Sequence, residues 1–247
     1  MKNFILALCC LFSLTGFAKK PDTRYFEMRI YYCHPGRLDA LIQRFTNHTT
    51  KIFEKHGMQN VGYWIPAKND NNALYYILAY PSKAARDTAW KHFGADPEWR
   101  AVAKKSEESG KIVAKVESIF MNATPFSPKI KSSIKEPARL FELRTYTAHP
   151  DKIQNVLDRF QNHTIKLFKK HGMDNMMYFK TIEKDDKQSR LIYILGHKDE
   201  AAAKASFDAF RKDPDWIKAR DASELNGKIV EKVESMFMVP TAFSTIR

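Results

Sequence analysis

The chain writes one set of phrases twice. "FEMRIYYCHP" at residues 26–35 returns as "FELRTYTAHP" at 141–150, and "RFTNHTTKIFEKHGM" at 44–58 returns as "RFQNHTIKLFKKHGM" at 159–173. "LYYILAY" (74–80) pairs with "LIYILGH" (191–197), and "DPEW" (96–99) with "DPDW" (213–216). "GKIVAKVESIFM" (110–121) pairs with "GKIVEKVESMFM" (227–238), and "TPFS" (124–127) with "TAFS" (241–244). The offset is 115 residues at first and 117 later; the added residues fall in the polar stretch "EKDDKQS" (183–189), which reads as a surface loop. A period this long makes each copy a domain rather than a solenoid unit. The fold must therefore be built twice, from halves that can share one chain.

Each copy predicts β-α-β-β-α-(α)-β. Tyr25–Tyr32 alternates, with Phe26, Met28 and Ile30 on one side and Glu27, Arg29 and Tyr31 on the other. A helix follows "HPG", where Pro35 suits a first turn; its apolar stripe is Leu38, Leu41, Ile42, Phe45, Ile52 and Phe53, and Gly57 stands where a C′ glycine is expected. Strands are predicted near Val61–Ile65, Leu74–Tyr80 and Ile112–Met121. A helix from about Lys83 carries Trp90 and Phe93, and Asp96-Pro97 caps a further short helix. The polar, proline-containing stretch 129–138 reads as a linker between a first domain (19–128) and a second (139–247).

A βαββαβ unit is a ferredoxin-like sandwich, with helices on one face of an antiparallel sheet and nothing on the other. Two copies on one chain can cover each other's bare face. The expected architecture is α+β, two ferredoxin-like domains packed sheet to sheet as an intramolecular pseudo-dimer closing into an α/β barrel. On this reading Phe26, Met28 and Ile30 lie under the helices. Glu27, Arg29 and Tyr31 then aim at Glu142, Arg144 and Tyr146 of the other copy.

The N-terminus stands apart. Lys2, an apolar run from Phe4 to Leu14, and the small residues Gly16 and Ala18 have the layout of a secretory leader cleaved after Ala18. The run is too short to span a bilayer comfortably. The expectation is an exported protein, periplasmic or secreted, with no transmembrane segment once the leader (1–18) is gone. Cys9 and Cys10 would leave with it, so Cys33 alone remains and no intrachain disulfide can form. Its counterpart in the second copy is Ala148, which marks Cys33 as a packing residue. The formal charge of +13 is spread along the chain without basic runs interleaved with aromatics, which argues against nucleic acid as a partner.

"FELRTY", "HT…FxKHGM", "DPxW" and "VESxFM…TxFS" resemble the NIPSNAP family, once per repeat and over nearly the whole chain after the leader. The resemblance implies a dimeric α/β barrel of ferredoxin-like units. It implies no particular chemistry, since the family has no agreed enzymatic activity. Better-known members are mitochondrial and linked to vesicle traffic and mitophagy signalling; the export signal separates this chain from them. The wider barrel superfamily includes cofactor-free monooxygenases, haem-degrading enzymes and isomerases, a fold-level analogy.

Six histidines form three matched pairs. His56 and His171 precede a glycine at a helix end, where an imidazole can meet the free carbonyls; His34 and His149 sit at a strand-to-helix turn. His48 and His163 fall on the apolar face of the first helix by a 3.6-residue count, so they are expected between helix and sheet. There they are either satisfied core histidines or, with Asn47 and Asn162, candidate catalytic groups. The spacings fit no metal motif, and no cofactor motif is present. The face bearing Glu27, Arg29, Tyr31, Glu142, Arg144 and Tyr146 is either an interdomain ion network or a polar cavity for a small acidic or aromatic ligand. In the second case Arg29 and Arg144 anchor a carboxylate, and Tyr63, Trp64, Tyr178 and Phe179 supply walls. Trp90, Trp99 and Trp216 read as core aromatics under the helices. The sequence thus supports a small-ligand-binding or interaction module, with a homo-oligomer left open. The alternative is a cofactor-independent monooxygenase or isomerase of the α/β-barrel type that uses the helix-one His/Asn pair.

Overall fold

The computed structural model of the protein describes residues 21–182 and 188–247. The leader-like stretch 1–18 and residues 183–187 of the polar loop lie outside the described residues. The first copy runs β1 (Tyr25–Cys33), α1 (Leu38–Arg44), a π-helical segment (Phe45–Thr49), α2 (Thr50–Lys55), β2 (Gln59–Pro66), β3 (Ala73–Tyr80), α3 (Lys83–Ala95), α4 (Pro97–Ser106) and β4 (Val113–Ala123). The second repeats it as β5 (Leu140–Ala148), α5 (Ile153–Arg159), a π segment (Phe160–Thr164), α6 (Ile165–Lys170), β6 (Asp174–Thr181), β7 (Arg190–His197), α7 (Glu200–Lys212), α8 (Pro214–Ser223) and β8 (Val230–Pro240).

The eight strands close into an antiparallel barrel in the order β1-β3-β2-β8-β5-β7-β6-β4. Each copy contributes four consecutive strands, and two short seams join them. One is Trp64↔Pro240, Ile65↔Val239 and Pro66↔Met238; the other is Met121↔Thr181, Asn122↔Lys180 and Ala123↔Phe179. Beyond each seam the repeated "TxFS" tail crosses to the other copy. Ser244 Oγ accepts the Tyr63 N–H at 3.0 Å and Ser127 Oγ accepts the Tyr178 N–H at 3.1 Å. Phe243 then packs against Tyr63 at 5.1 Å and Phe126 against Tyr178 at 5.8 Å. Each copy's last phrase therefore completes the aromatic core of its neighbour.

The signals that end α2 and begin α4 act as expected, whereas Pro35 lies in the turn before α1, which starts at Leu38 with Arg37 at its N-cap. Lys55 ends α2, His56 caps it, and Gly57 at φ +75° lets the chain turn. The Met58 N–H returns to the Phe53 carbonyl at 3.0 Å, a Schellman closure. Asp96 caps α4 by accepting the Glu98 N–H at 2.8 Å, with Pro97 in the first turn.

Two expectations about faces are corrected. Phe26 and Met28 point into the barrel, where they pack with Trp64, Phe141, Leu143 and Phe179 from both copies. Glu27, Arg29 and Tyr31 point the other way, under the helices of their own copy, beside the cluster of Phe45, Phe53, Tyr63 and Tyr76. Strand alternation says only that two sets are separated, not which faces what. The barrel interior is enclosed by two sheets whose backbone groups are already paired. A polar side chain there would meet few donors, and even the Trp64 indole N–H finds no acceptor among the described residues. The helix layer can offer partners from its own side chains, so the polar set goes there.

The second correction concerns helix one. A π turn takes one residue more than an α turn, so the 3.6-residue count fails across Phe45–Thr49. The Thr50 N–H bonds back to the Phe45 carbonyl, and Thr49 Oγ1 donates to the Arg44 carbonyl at 3.1 Å. Thr49 and Thr164 are buried, while Asn47, His48, Asn162 and His163 are all exposed. The expected pocket-lining histidines stand on the outer surface.

One exchange inside the barrel shows how far the copies have diverged while keeping the volume filled. A Cβ on Gly62 would lie 2.2 Å from the Trp64 ring, which folds back over it. The second copy puts Met177 and Phe179 at the same positions. A small and a large residue are replaced by two of middle size, as close packing demands.

Candidate functional site

The first copy gathers a polar cluster between β1 and α3. Strand alternation sets Glu27 and Arg29 under the helix, and Arg86 and Trp90, one turn apart on α3, face them. Glu27 is fully buried. It accepts from Arg29 Nη1 at 2.8 Å, Arg86 Nη2 at 2.7 Å and Nε at 3.0 Å, Tyr80 Oη at 3.1 Å and Trp90 Nε1 at 3.0 Å. Burial pushes the carboxyl pKa up, but the Arg86 hydrogen bonds and the Arg29 charge outweigh it and hold it below the usual range. Arg29 also donates from Nε to Tyr76 Oη at 3.0 Å and lies 4.2 Å over the Trp90 ring. Both Glu27 oxygens are matched, each by more than one donor.

The second copy keeps the strand and changes the helix. Glu142 and Arg144 pair as before, and Arg144 Nε donates to Tyr193 Oη at 3.0 Å. The residues around them differ: Tyr80 becomes His197, Arg86 becomes Ala203 and Trp90 becomes Phe207. Glu142 now accepts from His197 Nε2 at 3.0 Å and from Ser235 Oγ. An imidazole nitrogen facing a carboxylate carries the proton, so the Glu142 bond fixes His197 with hydrogen on Nε2. Burial again acts to raise the carboxyl pKa, and His197 and Arg144 bring it below the usual range.

Where Arg86 lies in the first copy, the second has a methyl group. The result is an open groove of about 540 Å³ over Arg144. It is lined by Phe207, Phe237, Ala201 and Ala203, with the cations Lys204 and Arg211 and the acidic Glu200 beside them. Arg144 stands 4.6 Å over the Phe207 ring, which holds the guanidinium in place. Asp208 binds Lys204 Nζ at 2.7 Å and also Arg211, which sets the two rim cations side by side. A fixed guanidinium beside aromatic walls can receive a carboxylate or another planar oxyanion on a flat apolar body.

The other expected groups have different places. Tyr31 and Tyr146 pack edge-on against Phe45 and Phe160. Tyr63 and Tyr178 are buried in the helix-side cores, stack on Tyr76 and Tyr193, and donate to Asn60 and Asn175. Trp64 and Phe179 line the barrel interior instead. The two Glu–Arg–Tyr sets therefore do not converge; each is enclosed in its own half. What does lie between the sheets is a cleft of about 380 Å³ lined by the opposite strand face, with Met28, Ile30, Leu143 and Thr145 on its walls and Glu117 and Glu234 at its edge. His56 and His171 cap their helices, but their rings bind the next helix cap, Asp96 and Asp213, at 2.6 and 2.7 Å. Trp90 is a partner of Glu27 as well as a core aromatic, while Trp99 and Trp216 stack on Phe93 and Phe210. Cys33 is buried, and burial pushes its thiol up to about 11, which suits a packing residue.

The sequence reading missed Arg86, Ala203, Phe207, Lys204 and Arg211. The signal was present in the repeat itself. Setting α3 against α7 at the offset of 117 exposes the exchange of Arg86 for Ala203. Among the described residues no three His, Cys, Asp or Glu side chains come together as a metal site, and no helix is long and apolar enough to cross a membrane.

Comparison with known proteins follows the same division into halves. A monooxygenase-like protein from Lactobacillus acidophilus superimposes with a TM-score of 0.59 at 11% identity, over 89% of this chain and 94% of that one. An anthrone oxidase-like protein superimposes with a TM-score of 0.58 at 11% identity, over 91% and 94%. These likenesses establish the fold, two α/β units closing one barrel. A NIPSNAP family protein of unknown function from Agrobacterium tumefaciens is 23% identical, with a TM-score of 0.39, over 43% of this chain and 93% of its own. No curated protein is matched by sequence. The NIPSNAP family profile matches twice, at residues 26–128 and 141–245. The chain thus belongs to the NIPSNAP family, with two of its domains in tandem.

Proposed function

We propose that this protein is a binding module for a small aromatic or otherwise flat organic acid, held in the second domain against Arg144. The observation that carries the reading is the replacement of Arg86 by Ala203, which removes an internal cation and leaves the groove. The ligand's body would use the space that Ala203 leaves open, with its carboxylate turned from Glu142 toward Arg144 and the rim cations Lys204 and Arg211. Its ring would lie between Phe207 and Phe237. The first domain, whose cluster is complete, acts as a scaffold. Asn47, His48, Asn162 and His163 lend no support to an oxygenase or isomerase reading, because they stand on the outer surface. Export by the leader 1–18 belongs to the same proposal, and N-terminal sequencing of the mature protein should begin at Lys19.

Isothermal titration with benzoate and larger aryl carboxylates tests the site. Binding is expected in the wild type and lost in Ala203→Arg, which rebuilds the first copy's side chain in the groove. A ligand at a hundred times its dissociation constant should stabilise the wild type by about 2.7 kcal/mol. If no aryl carboxylate binds, or if Ala203→Arg binds as well as the wild type, the reading fails.

A further inference from the structure

Strand β8 is longer than its neighbour on one side. It pairs with β5 from Phe141↔Met238 to Ala148↔Val230, but with β2 only at the three pairs of the seam. Among the described residues, the last backbone bond on the β2 side runs from the Ala67 N–H to the Phe237 carbonyl at 2.8 Å. Past that point β8 is a sheet edge, and Glu231 to Ser235 are all exposed. Backbone groups alternate sides along an antiparallel strand. Since Phe237 faces outward, Ser235 and Val233 also present their N–H and C=O groups to solvent.

Natural sheets blunt such edges with proline, bulges or charges that repel a second edge. This edge has no proline; its bulge, at Glu231, lies at the far end, and the ladder with β5 runs unbroken from Phe141↔Met238 to Thr147↔Lys232. Its charges do not repel a copy of themselves. Lys232 and Glu234 flank Val233 symmetrically, so an antiparallel pair centred on Val233 sets Lys232 opposite Glu234 of the other strand, twice. Opposite charges directly across a sheet stabilise it, and like charges destabilise it. Val233 itself is 47% exposed and would meet its equivalent. Both of its outward backbone groups would be satisfied by that partner. The same four residues recur as Lys115-Val116-Glu117-Ser118 on β4. There the last backbone bond of the seam is the corresponding one, from the Ile182 N–H to the Phe120 carbonyl at 2.8 Å.

We infer that the β8 edge pairs antiparallel with the β8 edge of a second copy of this chain, in register about Val233. Sedimentation velocity of the full chain over a concentration series is the test. The wild type should form a dimer that weakens with salt, since the charge pairs are exposed. Glu234→Lys and Lys232→Glu each place like charges opposite, and each should weaken the dimer by roughly tenfold or more. Mixing the two variants restores opposite charges and should restore a heterodimer, which misfolded chains could not do. A wild type that stays monomeric at its highest soluble concentration overturns the inference. So does a dimer that survives both single variants or fails to return on mixing.

Discussion

The two polar clusters start from the same strand phrase and end in different states. In the first copy Glu27 is shared by Arg29 and Arg86, with Tyr80 and Trp90 completing its shell. In the second, Glu142 holds one arginine and a histidine, and the place of the second arginine is an open groove. The difference lies on the helix, not on the strand. A duplicated domain can keep its ion pair for folding in both copies while one copy gives up a covering side chain and gains a surface. A site of this kind cannot be found from either copy alone, because each sequence is locally consistent. Only the misfit between them marks it.

The largest test of that contrast is to remove the acceptors. Glu27→Gln takes the buried carboxylate from two half-buried arginines, of which Arg86 keeps only Asp87; breaking a buried pair costs about 3–5 kcal/mol. Glu142→Gln strands only one arginine, so its loss in chemical denaturation should be distinctly smaller. Equal losses would mean that Arg86 adds nothing to the first cluster.

Acid should reveal the same asymmetry more gently. Glu27 and Glu142 both have folded pKa values below their usual range, since arginines (and His197 at Glu142) outweigh burial. A depressed carboxyl pKa contributes stability that is fully present above the unfolded value near ~4.3 and is lost as pH falls through the lower folded value. Stability followed by tryptophan fluorescence should therefore fall on the acid side of about pH 4.3, and Glu27→Gln should flatten that limb. An unchanged acid limb in Glu27→Gln would remove this carboxylate from the pH dependence.

The smallest effect is expected at the outer surface. His48→Ala and His163→Ala, alone or together, should change stability by less than about 0.5 kcal/mol, as exposed substitutions do. They should also leave aryl carboxylate binding untouched. A larger loss would show that the π segments do not turn these side chains outward.

Much of the fold was legible before any coordinates. The period-two strands, the Gly57 closure, the Asp96-Pro97 cap and the doubled pattern follow from local chemistry, and each acts within a few residues of its source. The repeat also required two sheets that cover one another, because each half leaves one face without helices. Two kinds of fact were out of reach. Phe26 and Glu27 alternate in the sequence, but alternation is symmetric, and only the assembled barrel, whose backbone groups are already hydrogen-bonded, decided that the apolar set goes inside. His48 shares the 3.6-residue stripe on paper, but the π turn at Phe45–Thr49 shifts the count by one and faces it to solvent. The crossing of Phe126 and Phe243 into each other's halves, and the groove over Arg144, arise from residues far apart in the chain. The sequence by itself determined the elements, their duplication and the pairing of like halves, because those rest on short-range backbone and side-chain preferences. The tertiary structure alone decided which face each side chain serves and where one copy left a space, because those depend on what the other elements bring to the same place.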